Sequence, residues 1–202
     1  MTLFMEEPKE EHKHFIIYKP YGYLSQFHSN SKKEQKKKFL GELFNFPKNA
    51  MSVGRLDEKS EGLLLITTDG RVSDFINSKK VDKEYYAQVD GDITNEAIDS
   101  LKKGVEIGFN GKKYITKPCK AIKLENIPDL PIRTKKIRDN RHGPTSWISI
   151  ILNEGKYRQV RKMTSAVGFP TLRLIRVRVG TIKIDNMKVG DVVKVDNFKL
   201  DF

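Results

Sequence analysis

The chain has 202 residues, 38 of them Lys or Arg and 26 Asp or Glu, giving a formal net charge of +12. This length supports one generous core or two small subdomains sharing a sheet, and the lone cysteine, Cys119, excludes an internal disulfide framework and a cysteine cluster for zinc. The basic excess suits a polyanion of unspecified kind. No run of about 18 apolar residues exists to cross a bilayer and Met1 to His14 holds no apolar signal-peptide core, so a soluble, cytoplasmic protein is expected.

Residues 1–13 combine Glu6, Glu7, Glu10 and Glu11 with lysines and Pro8, without apolar periodicity, and read as a disordered tail before one domain at 14–202. Phe15 to Tyr18 is a strand candidate that runs into the turn Lys19-Pro20-Tyr21-Gly22. Lys32, Lys33, Lys36, Lys37 and Lys38 form the densest basic run, expected as a solvated face that attracts phosphate without reading sequence. Leu63 to Ile66, bounded by Asp69-Gly70, reads as a buried strand, and the glycine-flanked loop before it carries Arg55 and Asp57. A carboxylate on such a rigid element can be held in one geometry. Asp57 is equally the residue type that makes a turn or caps a helix.

Further along, Arg71 to Asn77 is a short helix candidate and Lys83 to Val89 a strand containing Tyr85 and Tyr86. Thr94 to Lys103 reads as a helix, capped by Thr94 and stopped by Gly104. Val105 to Phe109 and Lys112 to Thr116, joined by Asn110-Gly111, form a hairpin signal. A strand at Ala121 to Leu124 is followed by a loop from Pro128 to Pro144, rich in cations and lacking apolar periodicity. Trp147 to Leu152 is a strand, and a helix is expected to open at Gly155 and end at Gly168. That helix would set Tyr157, Val160, Met163, Thr164 and Val167 on its inner face and Arg158, Arg161, Lys162 and Ser165 on the other. Leu172 to Val179 alternates as a strand with one side inward, and strands near Thr181 to Ile184 and Asp191 to Val195 close the chain. Mixed short strands with few helices argue an α+β domain around an extended, largely antiparallel sheet.

The run Gly54-Arg55-Leu56-Asp57, with Ser60-Glu61-Gly62-Leu63-Leu64 and Thr68-Asp69-Gly70, resembles the signature motif of the RNA pseudouridine synthases, in the branch that modifies ribosomal RNA. Lys19-Pro20 resembles that family's first motif, Lys83 to Tyr85 its tyrosine motif, and Glu154-Gly155 with Arg158-Gln159-Val160-Arg161 its later basic motif. Pro144 to Trp147, Arg158 to Thr164 and Val167 to Arg176 look nearest to the 23S rRNA synthases of the E type. The resemblance implies a catalytic cleft across the middle of the sheet, Asp57 as nucleophile, Arg161 as its basic partner and Tyr85 stacked near the base for the late proton loss. Arg55, Lys19, Arg158, Gln159 and Lys162 are then expected at the substrate. Many relatives carry a small RNA-binding domain ahead of the catalytic part, and here targeting is expected from the catalytic part alone.

The implied reaction breaks the N1 to C1′ bond of a uridine, turns the uracil in place and joins C5 to C1′. It calls for no cofactor and no metal. The implied partner is ribosomal RNA, 23S in particular, rather than DNA or a membrane, with the protein acting as a monomer. Asp57 would either bond to the sugar or abstract a proton from it, and the uridine must leave its stack to arrive. The basic loop at 128–144 is a candidate recognition insertion and equally a solvated connector. A non-catalytic rRNA-binding protein would explain the charge but gives Asp57 and Arg161 no task, and a base-excising hydrolase would release uracil rather than retain it.

Overall fold

The computed structural model describes residues 11–34, 36–78 and 81–200, so the tail expected at 1–13 lies outside the described residues save for its last three positions. In chain order the strands and helices are β1 (His14–Lys19), β2 (Tyr23–Leu24), β3 (Lys38–Phe39), β4 (Met51–Val53), β5 (Glu61–Thr67), α1 (Gly70–Asn77), β6 (Lys83–Asp90) and α2 (Asn95–Lys103). There follow β7 (Glu106–Phe109), β8 (Lys112–Ile115), β9 (Lys120–Leu124), β10 (Thr145–Leu152), α3 (Gln159–Ala166), β11 (Thr171–Val179), β12 (Ile182–Lys183) and β13 (Val192–Val195). Among the described residues no helix is long and apolar enough to cross a membrane.

One mixed sheet dominates, in the order β13-β1-β5-β11-β6-β10-β9, with β4 added on β5 and β12 on β11. Every pairing in it is antiparallel except β5 with β11, which run parallel at the centre. There Gly62 lies opposite Arg176, and a Cβ on Gly62 would stand 2.4 Å from the Arg176 carbonyl oxygen. With φ at +102°, the position demands glycine on both steric and conformational grounds.

The sheet is covered on both faces. Ile175, Val177 and Val179 of β11 pack with Tyr18, Leu63, Leu65 and Trp147 on one side. On the other side stand two separate clusters: Ala87, Val89, Ile148, Ile150 and Leu174 against α2 and α3, and Leu64 and Ile66 against Phe15, Ile17 and Leu40. Register places Gly62, Arg176, Tyr85 and Ile150 in one row across this side, between those clusters. A cleft opens there.

Two local expectations change. Strand β11 is buried on both faces: Arg173 and Arg176 are 6% and 3% exposed, because the strand is central rather than half-solvated. Helix α3 starts at Gln159, four residues later than expected, since Arg158 holds the left-handed conformation at φ +54° and the chain before it forms a turn. Tyr157 therefore leaves the inner face and is 69% exposed, while Val160 and Met163 are buried as their spacing required. The hairpin β7–β8 turns through Asn110 at φ 50° and Gly111 at φ 72°, the primed geometry that this pair favours.

Candidate active site

The loop from Gly54 to Ser60 enters β5 and is fastened at several points. The Ser25 hydroxyl donates to Leu56 O at 2.8 Å and accepts from Leu56 N at 3.0 Å. Gly22 N donates to Glu58 O at 2.8 Å, and Ser60 N closes a turn onto Asp57 O at 3.0 Å. Lys19 lies wholly buried beneath this loop, its Nζ donating to Ser60 O at 2.7 Å and Pro20 O at 3.0 Å. Burial brings the Lys19 pKa down to about 7, although the nearby Asp57, Glu61 and Glu58 favour its charged form. The structure thus puts Lys19 under the site rather than at the cleft surface, because β1 is an interior strand and its last side chain points below the loop.

Asp57 projects from the fastened loop with 18% of its side chain exposed. Its Oδ1 accepts the Ser60 hydroxyl. Its Oδ2 meets two guanidinium groups: Nη1 of Arg158 at 2.5 Å and Nε of Arg161 at 3.3 Å. Arg161 also donates through Nη2 to Lys59 O at 2.9 Å and Ser60 Oγ at 3.3 Å, and through Nη1 to Thr171 O at 3.3 Å. Burial pushes its pKa down, with the Asp57 carboxylate opposing. Arg161 therefore clamps the main chain of the loop as well as facing the carboxylate. Arg158, in the left-handed backbone just ahead of α3, reaches the same carboxylate.

A cleft of about 680 Å³ opens in front of Asp57. Its floor is the central row of the sheet: Leu174 and Arg176 from β11, Lys83 and Tyr85 from β6, and Leu152 from β10. Tyr85 and Arg176 are directly opposed across the pair. Arg176 donates from Nε to Leu63 O at 2.7 Å. Burial, then the charge of Arg176, brings the Lys83 pKa down to about 8. Arg55 is exposed on the cleft wall.

Gln159 and Lys162, the remaining expected substrate contacts, are tied to protein groups. Buried Gln159 donates to Glu154 Oε1 at 2.7 Å and accepts Lys156 N at 2.8 Å, which holds the turn that leads into α3. Lys162 donates to Gly108 O at 2.6 Å and is absent from the cleft lining. Sequence reasoning overlooked Lys83, Ser60 and Arg176. The alternation of β11 already put Arg176 on the face of Leu174, and its register with Tyr85 supplies the rest.

The arrangement gives a partly desolvated carboxylate, oriented by two cations, beside an aromatic ring and a cationic floor. That set can act on an electron-poor sugar carbon and hold a flat base. Among the described residues no group of three or more His, Cys, Asp or Glu stands close enough to hold a metal ion.

A family model described as RNA pseudouridylate synthase matches residues 13–166. The chain is 38% identical over 172 residues to the ribosomal large subunit pseudouridine synthase E of Xanthomonas axonopodis pv. citri (strain 306), covering 84% of this chain and 87% of that protein. It is 34% identical over 183 residues to the synthase E of Vibrio parahaemolyticus serotype O3:K6 (strain RIMD 2210633), covering 90% and 73%. A solved pseudouridylate synthase structure superposes with a TM-score of 0.71 at 25% identity, over 93% of this chain and 72% of that one.

Proposed function

The chain belongs to the RNA pseudouridine synthase family, and from that premise we propose that it converts a uridine of large-subunit ribosomal RNA, 23S in bacterial terms, to pseudouridine. The observation that carries the reading is Asp57, held at the mouth of a cleft by Arg158 and Arg161 from a segment a hundred residues away in sequence. The likeness to large-subunit synthases over most of both chains supports the substrate class.

In this reading the uridine flips out of its stack and enters over Tyr85. Asp57 acts at the sugar while the N1 to C1′ bond breaks. The uracil turns, C5 joins C1′, and the proton left on C5 is removed beside Tyr85. The reaction conserves every atom of the nucleotide and changes no oxidation state overall, so it calls for no redox partner. Arg161, 10% exposed, stays with the carboxylate; Arg158, 34% exposed, is the cation that gives way to the incoming nucleotide and then contacts it. Arg55 contacts RNA from the cleft wall, while Lys19, Gln159 and Lys162 act from behind by fixing the loops. Action as a monomer, in the cytoplasm where ribosomal RNA resides, belongs to the same proposal.

Incubation with ribosomal RNA followed by chemical mapping of pseudouridine tests the proposal. The wild-type protein is expected to give modification at one uridine, and Asp57→Asn none detectable while still folding and binding RNA. A turn-forming Asp tolerates Asn, so a folded Asp57→Asn protein that still forms pseudouridine, with deamidation checked, would sink the assignment. Release of free uracil would point instead to a base-excising hydrolase.

A further inference from the structure

Tyr157 is a large aromatic side chain left 69% exposed on the lip of the cleft, in a loop that the left-handed residue Arg158 turns away from α3. Its neighbour in sequence, Arg158, touches Asp57. One side of the ring is occupied: the Lys162 ammonium lies 5.5 Å from the ring centre, and that lysine is itself fixed by its bond to Gly108 O. The lip continues outward with more of the same chemistry, since Lys156 stands 4.9 Å from the centre of the Tyr114 ring and 5.1 Å from that of Phe109. Aromatic faces interleaved with cations make up the surface that single-stranded nucleic acid favours: rings stack on bases, and cations meet phosphates.

We propose that Tyr157 is a stacking platform for an unpaired nucleobase beside the flipped uridine, a subsite that holds the strand open at the cleft. The placement rests on the RNA reading of the cleft. Lys162 backs the ring, which leaves the other face for the base, and Lys156 meets the adjoining phosphate. A base extruded next to a duplex leaves its neighbour unstacked, and an exposed ring at that point replaces part of the lost stacking.

The test is equilibrium binding of two probes of matched length and charge, a short oligouridylate and the corresponding abasic phosphodiester strand. Tyr157→Ala is expected to weaken oligouridylate binding about 5- to 100-fold and to leave the abasic strand within about twofold of wild type, while Tyr157→Phe matches wild type on both. The side chain is exposed, so the Ala variant should keep the parent's thermal transition. Equal loss on both probes, or no loss on either, would overturn the platform. This outcome is separate from pseudouridine mapping: an inactive wild-type protein counts against the proposed reaction, whereas the stack stands or falls on the two probes.

Discussion

Two sets of cations share this molecule and differ in confinement. Around Asp57, Arg161 keeps 10% of its side chain exposed and spends its donors on the carbonyls of Lys59 and Thr171 and on Ser60, while Lys19 is wholly enclosed. In the loop between β9 and β10, Arg141 is 86% and Lys136 81% exposed, both near Asp139. That loop is nonetheless docked: Arg173, paired with buried Glu61 at 3.0 Å, donates to Pro131 O at 2.7 Å, Arg133 lies over the Tyr21 ring at 4.7 Å, and Arg138 pairs with Asp90. The same residue types thus serve two ends. Inner cations are fixed by protein oxygens and set geometry, whereas outer ones stand in water, where ion pairs contribute little to stability and remain available to phosphate.

If this division is right, the largest effect comes from the inner set. Arg161→Ala should lower the single-turnover rate of pseudouridine formation about 100- to 1000-fold, a loss typical of removing one charged group from a preorganised site, with RNA affinity nearly kept. Arg161→Lys should recover only part, because a point charge cannot reproduce the fork that holds Asp57 and two carbonyls. Filter binding and quench kinetics side by side separate the two quantities; an equal fall in affinity would place Arg161 among the gripping cations.

The outer set should show the converse. Lys136→Ala with Arg141→Ala is expected to weaken RNA binding roughly tenfold at moderate salt and to flatten the slope of log affinity against log salt by about 1 to 2, with the single-turnover rate at saturating enzyme unchanged. An unaltered slope would mean that these side chains meet no phosphate.

Lys19 gives the smallest and most specific effect. Its folded pKa of about 7 lies below the ordinary lysine value of 10.5. Between those values the unfolded chain binds a proton that the folded chain lacks, so Lys19 makes stability rise with pH from 7 toward 10. Relative to Lys19→Met, the wild-type protein should gain on the order of 2 kcal/mol between pH 7 and 9 in denaturant titrations. A pH-independent difference would contradict the buried, proton-shedding lysine.

Much of this was legible in the chain before any coordinates. The cap Thr94 and stop Gly104 bracket α2 as expected, Asn110-Gly111 turns the hairpin, and the apolar run at 63–66 is the core of β5. The family resemblance paired Asp57 with Arg161, and the two side chains do stand together, Arg161 Nε 3.3 Å from Asp57 Oδ2. What escaped was set by tertiary context. Helical spacing cannot foresee a non-glycine residue at positive φ, so α3 was extended through Arg158 and Tyr157 was turned inward. Alternation in β11 marks two faces but not whether the second is covered, so buried Arg176 read as solvated. Nor does a Lys-Pro turn reveal that the lysine lies beneath the loop it supports.

The parallel contact of Gly62 with Arg176 has a temporal meaning as well as a steric one. During synthesis the chain must lengthen by more than a hundred residues after Asp57 is made before β11 can slide in between β5 and β6. Pairings of such long sequence separation form late, after local hairpins and helices. The carboxylate and its clamp therefore cannot meet until the chain has been made through α3, and a nascent chain shorter than that, however basic, holds no completed site with which to act on the RNA around it.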